Sequence, residues 1–519
     1  MTVDYSLYLV TDSTPAILKG RDILEVVKAA LDGGVTVVQY RDKTLDTNAL
    51  IQIASKLHKL TKRYGVPLLI NDRVDVARAM DAEGVHLGQD DMDLEIARKI
   101  LGKDAIIGVT VSTAEEARTA ARRGADYLGI GTMFATPTKE NTKSIIGTAG
   151  TKEILTSVSA MDPKISAVAI GGINASNAQR VIFQSKAAFK GLDGVAVVSA
   201  IMGADDPREA TRHLKALIQR NPPFVVPFGL GKRAKNVQTL LQKVPAVITK
   251  VAEQSPLCHN MTNLVVQNFA ANVAIAIGAS PIMANYGSEA EDLTKLGGAL
   301  VINMGTVTPD GLQNYLQALR AYNGHGGPVL FDPVGAGATS IRRNAVRSLL
   351  AGGYFDIIKG NEGEIATVFG ESIVQQRGVD SGTSTSTGEE RAKLAKKLAL
   401  RERNVVLMSG ATDYLSDGQR TYSISNGHEY LGKITGSGCT LGTTIAACIP
   451  VSHDDVLLAA LAGLLLFEIA AEKAAVREDV RGPGTFVPAF IDELHDISQQ
   501  TVAGDTSWLS SAKVQELHI

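Results

Sequence analysis

Three polar side chains alternate directly after an apolar stretch in the first part of the chain. Gln39, Arg41 and Lys43 are separated by single residues, so an extended segment would direct all three side chains to one side. Two cations and an amide on one side form a binding surface for a phosphorylated ligand. The alternative is that they are a solvated strand end at the surface.

Carboxylates follow the next two apolar stretches. Asn71 and Asp72 come after the first of these, and Asp91 ends the segment Gly88–Asp91 after the second. Carboxylates at adjacent strand ends are suited to Mg²⁺, which prefers oxygen ligands and substrate phosphates. Aspartate also commonly caps helices, and Asp91-Met-Asp93 precedes a helical pattern, so we expect one of these aspartates to be only a cap.

Candidate phosphate-binding segments lie further along. The long polar loop Ala135–Lys143 holds hydroxyls and lysines, Gly171-Gly172 permits a close backbone approach, and Ser199 follows the last apolar stretch of this part. No nucleophile–base pair accompanies these segments. The pattern therefore indicates chemistry on two phosphorylated ligands, driven by metal-assisted departure of a leaving group.

The second half holds a glycine-rich turn, Ile434–Gly442, followed by the small-residue helical pattern Thr443–Cys448. A turn of this kind at the start of a helix presents free amides and the positive end of the helix dipole to an anion. Cys439 lies near that helix N-terminus, where the pKa of a thiol tends to fall. The alternative is a structural helix start with an inert buried thiol.

Two more acidic residues end apolar stretches in this half. Asp332 precedes a flexible Pro-Val-Gly-Ala-Gly loop, and Glu364 lies in Lys359-Gly-Asn-Glu-Gly-Glu364. The two carboxylates could share a Mg²⁺ that carries nucleotide phosphates, although each alone could cap a helix. The chain has no GxxxxGK[ST] loop, so the motif is not that of a P-loop kinase.

The elements that must position these residues are short strands alternating with helices. The apolar stretches of the first part read as parallel strands covered on both faces. They are Leu7–Thr11, Val35–Gln39, Pro67–Asn71, Gly84–Leu87, Ile106–Val109, Tyr127–Ile130, Ser166–Ile170 and Val195–Val198. Eight strands alternating with helices predict a (β/α)8 TIM barrel, and an open doubly wound sheet is the alternative.

The remaining chain is divided from the barrel by a proline-rich segment. Asn221–Gly231 contains three prolines and reads as a linker, which places the first domain at residues 1–235 and the second at 236–519. The second domain has less regular strands and longer helices, and we expect an α/β fold. Its polar segment Ser381–Gly388 is expected to be a surface loop.

Composition limits the class of protein. The 519 residues are 45% hydrophobic with a formal net charge of −2, which argues against disorder and against a dedicated nucleic-acid or membrane-surface binder. Three cysteines form neither a disulfide framework nor a zinc site. The apolar run Val456–Phe467 is too short to span a bilayer, and the N-terminus lacks a signal peptide's basic region. We expect a cytoplasmic protein.

The motifs of the first part together resemble the thiamine-phosphate synthase family, a (β/α)8 barrel that joins hydroxymethylpyrimidine diphosphate to a thiazole phosphate and releases pyrophosphate. The resemblance implies that the pyrimidine diphosphate is held by Gln39, Arg41, Lys43, Asn71, Thr110 and Lys139. It places Mg²⁺ on Asp72 and Asp91. It places the thiazole phosphate on Thr136, Thr138, Gly172, Val198 and Ser199.

The second half resembles the ribokinase-like superfamily, and within it the hydroxyethylthiazole kinase family. His259–Asn268 and Gly278–Met283 are similar to that family's thiazole-binding segments. The resemblance implies thiazole contacts at Asn263, Met283 and Gly436, ATP contacts at Lys359 and Ser409, and Mg²⁺ on Asp332 and Glu364. Cys439 takes the place of the aspartate base of related sugar kinases. The family usually has Arg at the position of Lys359 and often Thr at that of Ser409.

Together the two resemblances predict a bifunctional thiamine-biosynthetic enzyme of the fungal type. The kinase would use ATP to phosphorylate hydroxyethylthiazole, and the barrel would consume the product. Rival interpretations are a sensor or coregulator that lost catalysis, and another phosphate-handling barrel fused to a ribokinase-like sugar kinase. The kinase family is typically trimeric, so the resemblance also implies a homo-oligomer, trimeric or possibly hexameric.

Overall fold

The computed structural model describes residues 3–136, 145–162, 164–225, 236–371 and 386–519. The chain divides into two compact units, Met1–Pro222 and Pro223–Ile519. The predicted linker contains this division, and its residues 226–231 lie outside the described ranges, as do residues 381–385 of the predicted surface loop. The domain limits 1–235 and 236–519 stay predictions.

Eight parallel strands close into a barrel in the first unit, in the order of the chain. The strands are β1 Leu7–Val10, β2 Val37–Tyr40, β3 Leu68–Asn71, β4 Gly84–Leu87, β5 Ile106–Val111, β6 Tyr127–Ile130, β7 Ser166–Ile170 and β8 Gly194–Val197. All eight predicted strands are present. The predicted barrel is confirmed and the open doubly wound sheet is not found, because the last strand pairs with the first, Leu7 opposite Val195, and closes the sheet.

Helices surround the barrel and pack their apolar faces on the outer side of the strands. They are α1 Pro15–Leu18, α2 Ile23–Gly33, α3 Thr47–Tyr64, α4 Val74–Ala79, α5 Leu94–Leu101, α6 Ala114–Arg122, α7 Gly147–Ser159, α8 Ala178–Gln184, α9 Ser199–Met202 and α10 Pro207–Gln219. Asp46 and Thr113 cap α3 and α6 by accepting hydrogen bonds from main-chain amides. Their sequence positions therefore set where these two helices begin.

A nine-stranded sheet forms the centre of the second unit, in the order β10-β9-β11-β12-β13-β14-β15-β16-β17. The strands are β9 Leu257–Met261, β10 Ser280–Ile282, β11 Ala299–Asn303, β12 Val329–Asp332, β13 Ile357–Asn361, β14 Val405–Ser409, β15 Asp413–Ser416, β16 Thr421–Ile424 and β17 Val514–Glu516. The first six in this order run parallel, and the last three join them antiparallel. The predicted α/β class is confirmed, although β9 and β15 to β17 were not predicted.

Helices cover both faces of this sheet, in two separate apolar clusters. They are α11 Val237–Leu241, α12 Val244–Gln254, α13 Gln267–Ala276, α14 Ala290–Leu293, α15 Pro309–His325, α16 Ser340–Gly352, α17 Glu362–Phe369, α18 Gly388–Glu402, α19 Ser437–Cys448, α20 Val456–Ala475 and α21 Pro483–Val502. The apolar run at Val456 is the buried helix α20, as predicted. In the described ranges, no helix combines the length and apolar character needed to cross a membrane.

Candidate active sites

The carboxyl ends of the barrel strands carry most of the predicted ligands of the first unit. Gln39, Asn71 and Thr110 lie within β2, β3 and β5, near their carboxyl ends. The others follow strand ends, at Arg41, Lys43, Asp72, Asp91, Thr136, Gly172, Val198 and Ser199. Thr138 and Lys139 lie outside the described residues. Because parallel strands of a barrel end on one rim, these side chains share a single face of the unit.

Each of the two cations after β2 has an acidic neighbour. Arg41 Nη1 lies 3.5 Å from Asp12 Oδ2, and Asp12 is almost completely buried. Lys43 Nζ lies 3.4 Å from Asp72 Oδ2, and the Lys43 side chain is more exposed than that of Arg41. Asp12 was not singled out in the sequence, although its position directly after the first strand could have drawn attention to it. The pairs hold both cations at the rim.

Asp72 and Asp91 face each other on neighbouring loops. Burial and the neighbouring Asp91 carboxylate together raise the pKa of Asp72 to about 6, with Lys43 partly offsetting the rise. Asp72 has a backbone φ of 61°, a left-handed conformation that costs free energy for a non-glycine residue and is often found at functional sites. A partly buried carboxylate beside a second one favours either a shared proton or a cation between them.

Asp93 is the helix cap among these aspartates. Its carboxylate accepts hydrogen bonds from the amides of Glu95 and Ile96 at the start of α5. Asp91 Oδ2 instead accepts from Gly88 N within its own loop, at 2.6 Å. Asp93 is therefore the predicted helix cap, although its Oδ2 atom also pairs with Arg123, and Asp91 is not used to cap α5.

A chain of hydrogen bonds crosses the barrel interior beneath the rim. Gln39 Nε2 donates to Tyr8 Oη at 2.7 Å, and Tyr8 Oη lies 2.7 Å from Tyr127 Oη. Tyr127 Oη then contacts His86 Nδ1 at 2.7 Å, and His86 Nε2 contacts Thr110 Oγ1 at 2.8 Å. This network ties two predicted ligands, Gln39 and Thr110, into fixed orientations. Tyr8, His86 and Tyr127 were missed because each reads as an ordinary strand residue.

The loop after β7 has the backbone geometry expected of a close approach. Gly171 and Gly172 have φ values of 105° and 65°. A Cβ at Gly171 would lie 2.4 Å from Thr132 Cγ2, and one at Gly172 would lie 2.9 Å from Phe134 Cβ. The two glycines therefore let this loop pack against the loop after β6, which carries Thr136. Val198 and Ser199 stand at the start of α9.

In the second unit, the glycine-rich turn leads directly into α19. The helix begins at Ser437, six residues earlier than predicted, so Gly438 and Cys439 belong to its first turn. Gly436 precedes it with a φ of 84°, and a Cβ there would lie 2.1 Å from Val266 Cγ1. The first amides of α19 have no intrahelical acceptor and carry the positive end of the helix dipole. The predicted anion-stabilising turn is thus at the first turn of α19 itself.

A buried ion pair faces this helix start. Lys359 Nζ lies 3.2 Å from Asp332 Oδ2, and the two side chains are only 4% and 1% exposed. A Cβ at Gly438 would lie 3.8 Å from Lys359 Nζ, so the ammonium group lies close to the first turn of α19. Burial alone would lower the pKa of Lys359, but Asp332, Cys439 and Glu364 raise it overall. Lys359 therefore keeps its positive charge.

Asp332 has one engaged and one free oxygen. Its Oδ2 accepts from Asn303 Nδ2 at 2.9 Å and contacts Lys359, whereas its Oδ1 is buried without a hydrogen-bond partner. Burial raises the pKa of Asp332, and Lys359 and Asn303 offset part of that rise. A buried acceptor without a partner is costly and calls for a ligand that the described residues do not supply.

Glu364 is the second predicted metal ligand of this unit, and its oxygens accept main-chain hydrogen bonds. Oε1 accepts from Gly335 N and Oε2 from Asn361 N, both at 2.8 Å. Asn361 in turn caps α17 by accepting from Glu364 N, which completes a capping box. Burial, together with Asp332, raises the pKa of Glu364 to about 7. The side chain thus fixes the loop after β12 beside Asp332.

Cys439 differs from its predicted electrostatics. Burial raises the pKa of its thiol to about 11, and Asp332 contributes to the rise. The predicted fall of this pKa is therefore wrong, because desolvation outweighs the charge of Lys359 and the hydrogen bonds from Asn263 and Asn303. Asn263 Nδ2 donates to Cys439 Sγ at 3.3 Å and to Asn303 Oδ1 at 3.0 Å. Asn303, missed in the sequence, connects Cys439's neighbour Asn263 to Asp332.

The order of the strands arranges the predicted ligands along one sheet edge. Met283 follows β10, Asn263 follows β9, Asp332 ends β12, and Ser409 ends β14. Adjacent strands are about 4.8 Å apart, so β9 and β14 are separated by roughly 19 Å. Met283 and Ser409 therefore lie at opposite ends of an elongated site, with Cys439 and Lys359 between them.

Comparison with known proteins identifies both units. Residues 7–201 match the "Thiamine monophosphate synthase" family model, and residues 248–500 match the "Hydroxyethylthiazole kinase family" model. The chain is 44% identical over 520 residues to a Schizosaccharomyces pombe protein named "Probable thiamine biosynthetic bifunctional enzyme", covering 99% of each chain. The chain belongs to the family of thiamine biosynthetic bifunctional enzymes.

Other relatives agree with this assignment to the bifunctional family. A Saccharomyces cerevisiae "Thiamine biosynthetic bifunctional enzyme" is 36% identical over 541 residues and covers 98% of each chain. A Clostridium novyi "Thiamine-phosphate synthase" is 46% identical over 214 residues, covering 41% of this chain and 98% of its own. The predicted pairing of synthase and kinase in an enzyme is confirmed. The rival pairing of another phosphate-handling barrel with a sugar kinase is excluded.

Proposed function

We propose that the second unit phosphorylates 4-methyl-5-(2-hydroxyethyl)thiazole with ATP, and that the barrel condenses the product with hydroxymethylpyrimidine diphosphate to give thiamine phosphate and pyrophosphate. The single observation that carries the synthase reaction is the convergence of Arg41, Lys43, Asp72 and Asp91 on one rim. Two cations beside two carboxylates form a site for a diphosphate with a bound cation.

In the barrel, we assign the departing diphosphate to Arg41 and Lys43. Their positive charges stabilise the negative charge that develops on the leaving group as its bond to the pyrimidine methylene breaks. Gln39, fixed by Tyr8, orients the pyrimidine beneath the rim. The loop of Gly171 and Gly172 lies where its backbone amides can hold the thiazole phosphate, so that the thiazole nitrogen attacks the resulting cation.

Asp72 and Asp91 are suited to hold Mg²⁺. Asp72 is partly buried, and its pKa is raised first by that burial and then by the neighbouring Asp91 carboxylate, so a divalent cation would stabilise its ionised form. When bound, Mg²⁺ would neutralise charge on the diphosphate. Magnesium commonly takes one or two protein carboxylates and completes its shell with substrate phosphate and water.

In the kinase unit, we assign the transferred phosphoryl group to the start of α19. The free amides of its first turn and the Lys359 ammonium group stabilise charge on the phosphoryl oxygens. Ser409, at the end of β14, contacts ATP, and Met283, Asn263 and Gly436 contact the thiazole. Cys439 remains protonated at neutral pH, so we assign it a positioning contact and not the role of general base.

Asp332 fits a Mg²⁺ ligand better than Glu364. The Asp332 Oδ1 atom is a buried acceptor that lacks a partner, whereas both Glu364 oxygens already accept main-chain amides. We propose that Asp332 holds the cation directly or through water, and that Glu364 acts by fixing the neighbouring loop. When bound, Mg²⁺ would neutralise negative charge on the nucleotide phosphates.

We also propose a homo-oligomer built on the kinase unit. The edge strand β10 pairs on one side only, with β9. Large apolar side chains on this part of the unit are exposed by 60% or more, at Leu264, Val265, Ile275, Tyr286 and Leu296. Exposed apolar groups near an unpaired strand edge are typical of a covered interface. Light scattering of the purified chain would report a mass of one subunit if this proposal is wrong.

An assay of the purified chain tests the proposed reactions. Incubation with ATP, hydroxyethylthiazole, hydroxymethylpyrimidine diphosphate and Mg²⁺ should yield thiamine phosphate and pyrophosphate. Omission of ATP should stop synthesis, and addition of thiazole phosphate should restore it. Binding of all three substrates without product would contradict the proposal and favour a sensor that has lost catalysis.

A further inference from the structure

Two carboxyl groups face each other in the interior of the kinase unit. Asp413 is the first residue of β15 and Glu468 lies on α20, and both residues are more than nine-tenths buried. The two side chains lie within hydrogen-bonding reach of one another. Asp413 Oδ2 and Glu468 Oε2 are inaccessible to water and receive no hydrogen from any N–H or O–H group of the described residues.

The surroundings of the pair do not neutralise two negative charges. Lys359 and Lys513 are the cations that act on it, Lys359 on Asp413 and Lys513 on Glu468. Lys513 Nζ lies 2.8 Å from Glu472 Oε1, so its charge is already compensated by a third acid, which faces the pair from the next turn of α20. Two ionised carboxylates in this environment would be strongly unfavourable. A single proton between them satisfies both oxygens that lack a partner.

Asp413 connects this pair to the end of β14. Its Oδ1 atom accepts a hydrogen bond from Gly410 N at 2.9 Å. Gly410 follows Ser409, the residue that we assign to ATP, and begins the short connection between β14 and β15. The position of the Asp413 carboxylate therefore determines the position of the main chain that carries the nucleotide contact.

We propose that Asp413 and Glu468 share one proton and act together as a positioning pair for the ATP-binding turn at Ser409 and Gly410. The proton lets Asp413 direct one oxygen to Glu468 and the other to Gly410 N. Without it, repulsion between two buried anions would displace Asp413 and release the turn. The inference rests on the proposed ATP contact of Ser409.

Infrared spectroscopy of the full chain tests the shared proton directly. At about pH 8 an ordinary carboxyl group is ionised, so the wild-type chain should show the carbonyl band of a buried protonated carboxyl. The band should be lost in both Glu468→Gln and Asp413→Asn, since the new amide donates to the remaining carboxylate. Glu472→Gln, a matched change one turn along α20, should retain it. Absence of the band in the wild type, or its persistence in either variant of the pair, would overturn the proposal.

Kinase kinetics test the positioning role. Asp413→Ala removes the acceptor of Gly410 N, and we expect its KM for ATP to rise about fivefold, with a smaller change in kcat. Asp413→Asn retains an acceptor and a donor and should restore KM. An unchanged KM in folded Asp413→Ala, or equal losses in Asp413→Ala and Asp413→Asn, would contradict the role. If Ser409→Ala leaves KM unchanged while the infrared result holds, the ATP contact is wrong and the proton-sharing pair stands.

Discussion

Lys359 Nζ lies 3.2 Å from Asp332 Oδ2, and the pair is almost completely excluded from solvent. Removing one partner of a buried ion pair leaves an uncompensated charge in a medium that solvates it poorly. Lys359 is therefore expected to matter for the stability of the kinase unit as well as for its activity, and the two effects can be separated by experiment.

Lys359→Met should destabilise the kinase unit by about 3–5 kcal/mol, because it leaves Asp332 buried and unpaired. The double variant Lys359→Met/Asp332→Leu removes both charges and should recover much of that loss. Both variants should lack kinase activity. Thermal unfolding of the full chain together with the phosphorylation assay checks this, and kinase activity in the double variant would contradict the assignment of Lys359.

Asp91→Ala should abolish thiamine phosphate synthesis and leave phosphorylation of the thiazole unchanged, because Asp91 faces Asp72 at the barrel rim. Asp93→Ala is the matched control. It removes the cap of α5 and a half-exposed ion pair with Arg123, and should cost about 1–2 kcal/mol of stability without loss of synthesis. Product formation by both variants, measured with thiazole phosphate supplied, distinguishes the two roles, and equal activities would rule out the metal site at Asp91.

Synthase activity should depend on pH through Asp72. Its pKa of about 6 means that Asp72 binds a proton as the pH falls through that value, so the Mg²⁺ concentration needed for half-maximal activity should rise below about pH 6. Lys43 lowers this pKa, so Lys43→Met should move the rise to higher pH. Asp91→Asn removes a carboxylate that raises the pKa of Asp72, so it should lower that pKa. NMR of the Asp72 carboxyl carbon would report the change. A Mg²⁺ requirement independent of pH would count against the site.

Cys439→Ala should reduce kinase kcat by only about fivefold, the effect of losing one polar contact. With a thiol pKa of about 11, the wild-type protein contains little thiolate at neutral pH, and alkylation of Cys439 by iodoacetamide should accelerate as the pH is raised. A loss of about a thousandfold in Cys439→Ala would instead identify a catalytic base.

Separate expression of residues 1–222 and 223–519 should give two active fragments. Phe224 stacks on Tyr354 with ring centroids 4.8 Å apart and is buried. A second fragment that begins at residue 236 lacks this contact and should be less stable by about 3 kcal/mol, as should Phe224→Ala in the longer fragment. If the fragments that begin at residues 223 and 236 melt at the same temperature, the kinase unit starts after the linker.

The barrel could be predicted in full because its strands are buried on both faces and therefore read as apolar runs. Strand β9 of the second unit could not be predicted, because His259 and Asn260 interrupt its apolar pattern. Both are buried there through hydrogen bonds to residues distant in sequence, such as Ala284 and Thr443. Such partners exist only once the sheet has formed, and local hydropathy does not report them.

In the candidate sites, too, some residues could be recognised from the local sequence, and others depend on contacts that exist only in the folded chain. Asp72, Asp91 and Asp332 could be found because acids at strand ends are visible in the sequence. Asp12 follows a strand end in the same way and was overlooked, and its pairing with Arg41 is visible only in the fold. Asn303 could not be found, because its significance lies in contacts made across the fold. The electrostatics of Cys439 were predicted in the wrong direction, since the degree of burial of a first-turn residue depends on what packs over the helix.

The elongated arrangement of the kinase site bears on inhibitor design. Thiazole and nucleotide contacts are assigned to opposite ends of one sheet edge, with the first turn of α19 between them. A single molecule that tethers a thiazole to a nucleoside through a polyphosphate bridge would follow that edge and occupy both ends at once. Tethering gains affinity from the high effective concentration of the second group, and only when the bridge matches the span. Bridges of graded length would therefore serve as a molecular ruler for the distance between the two substrates.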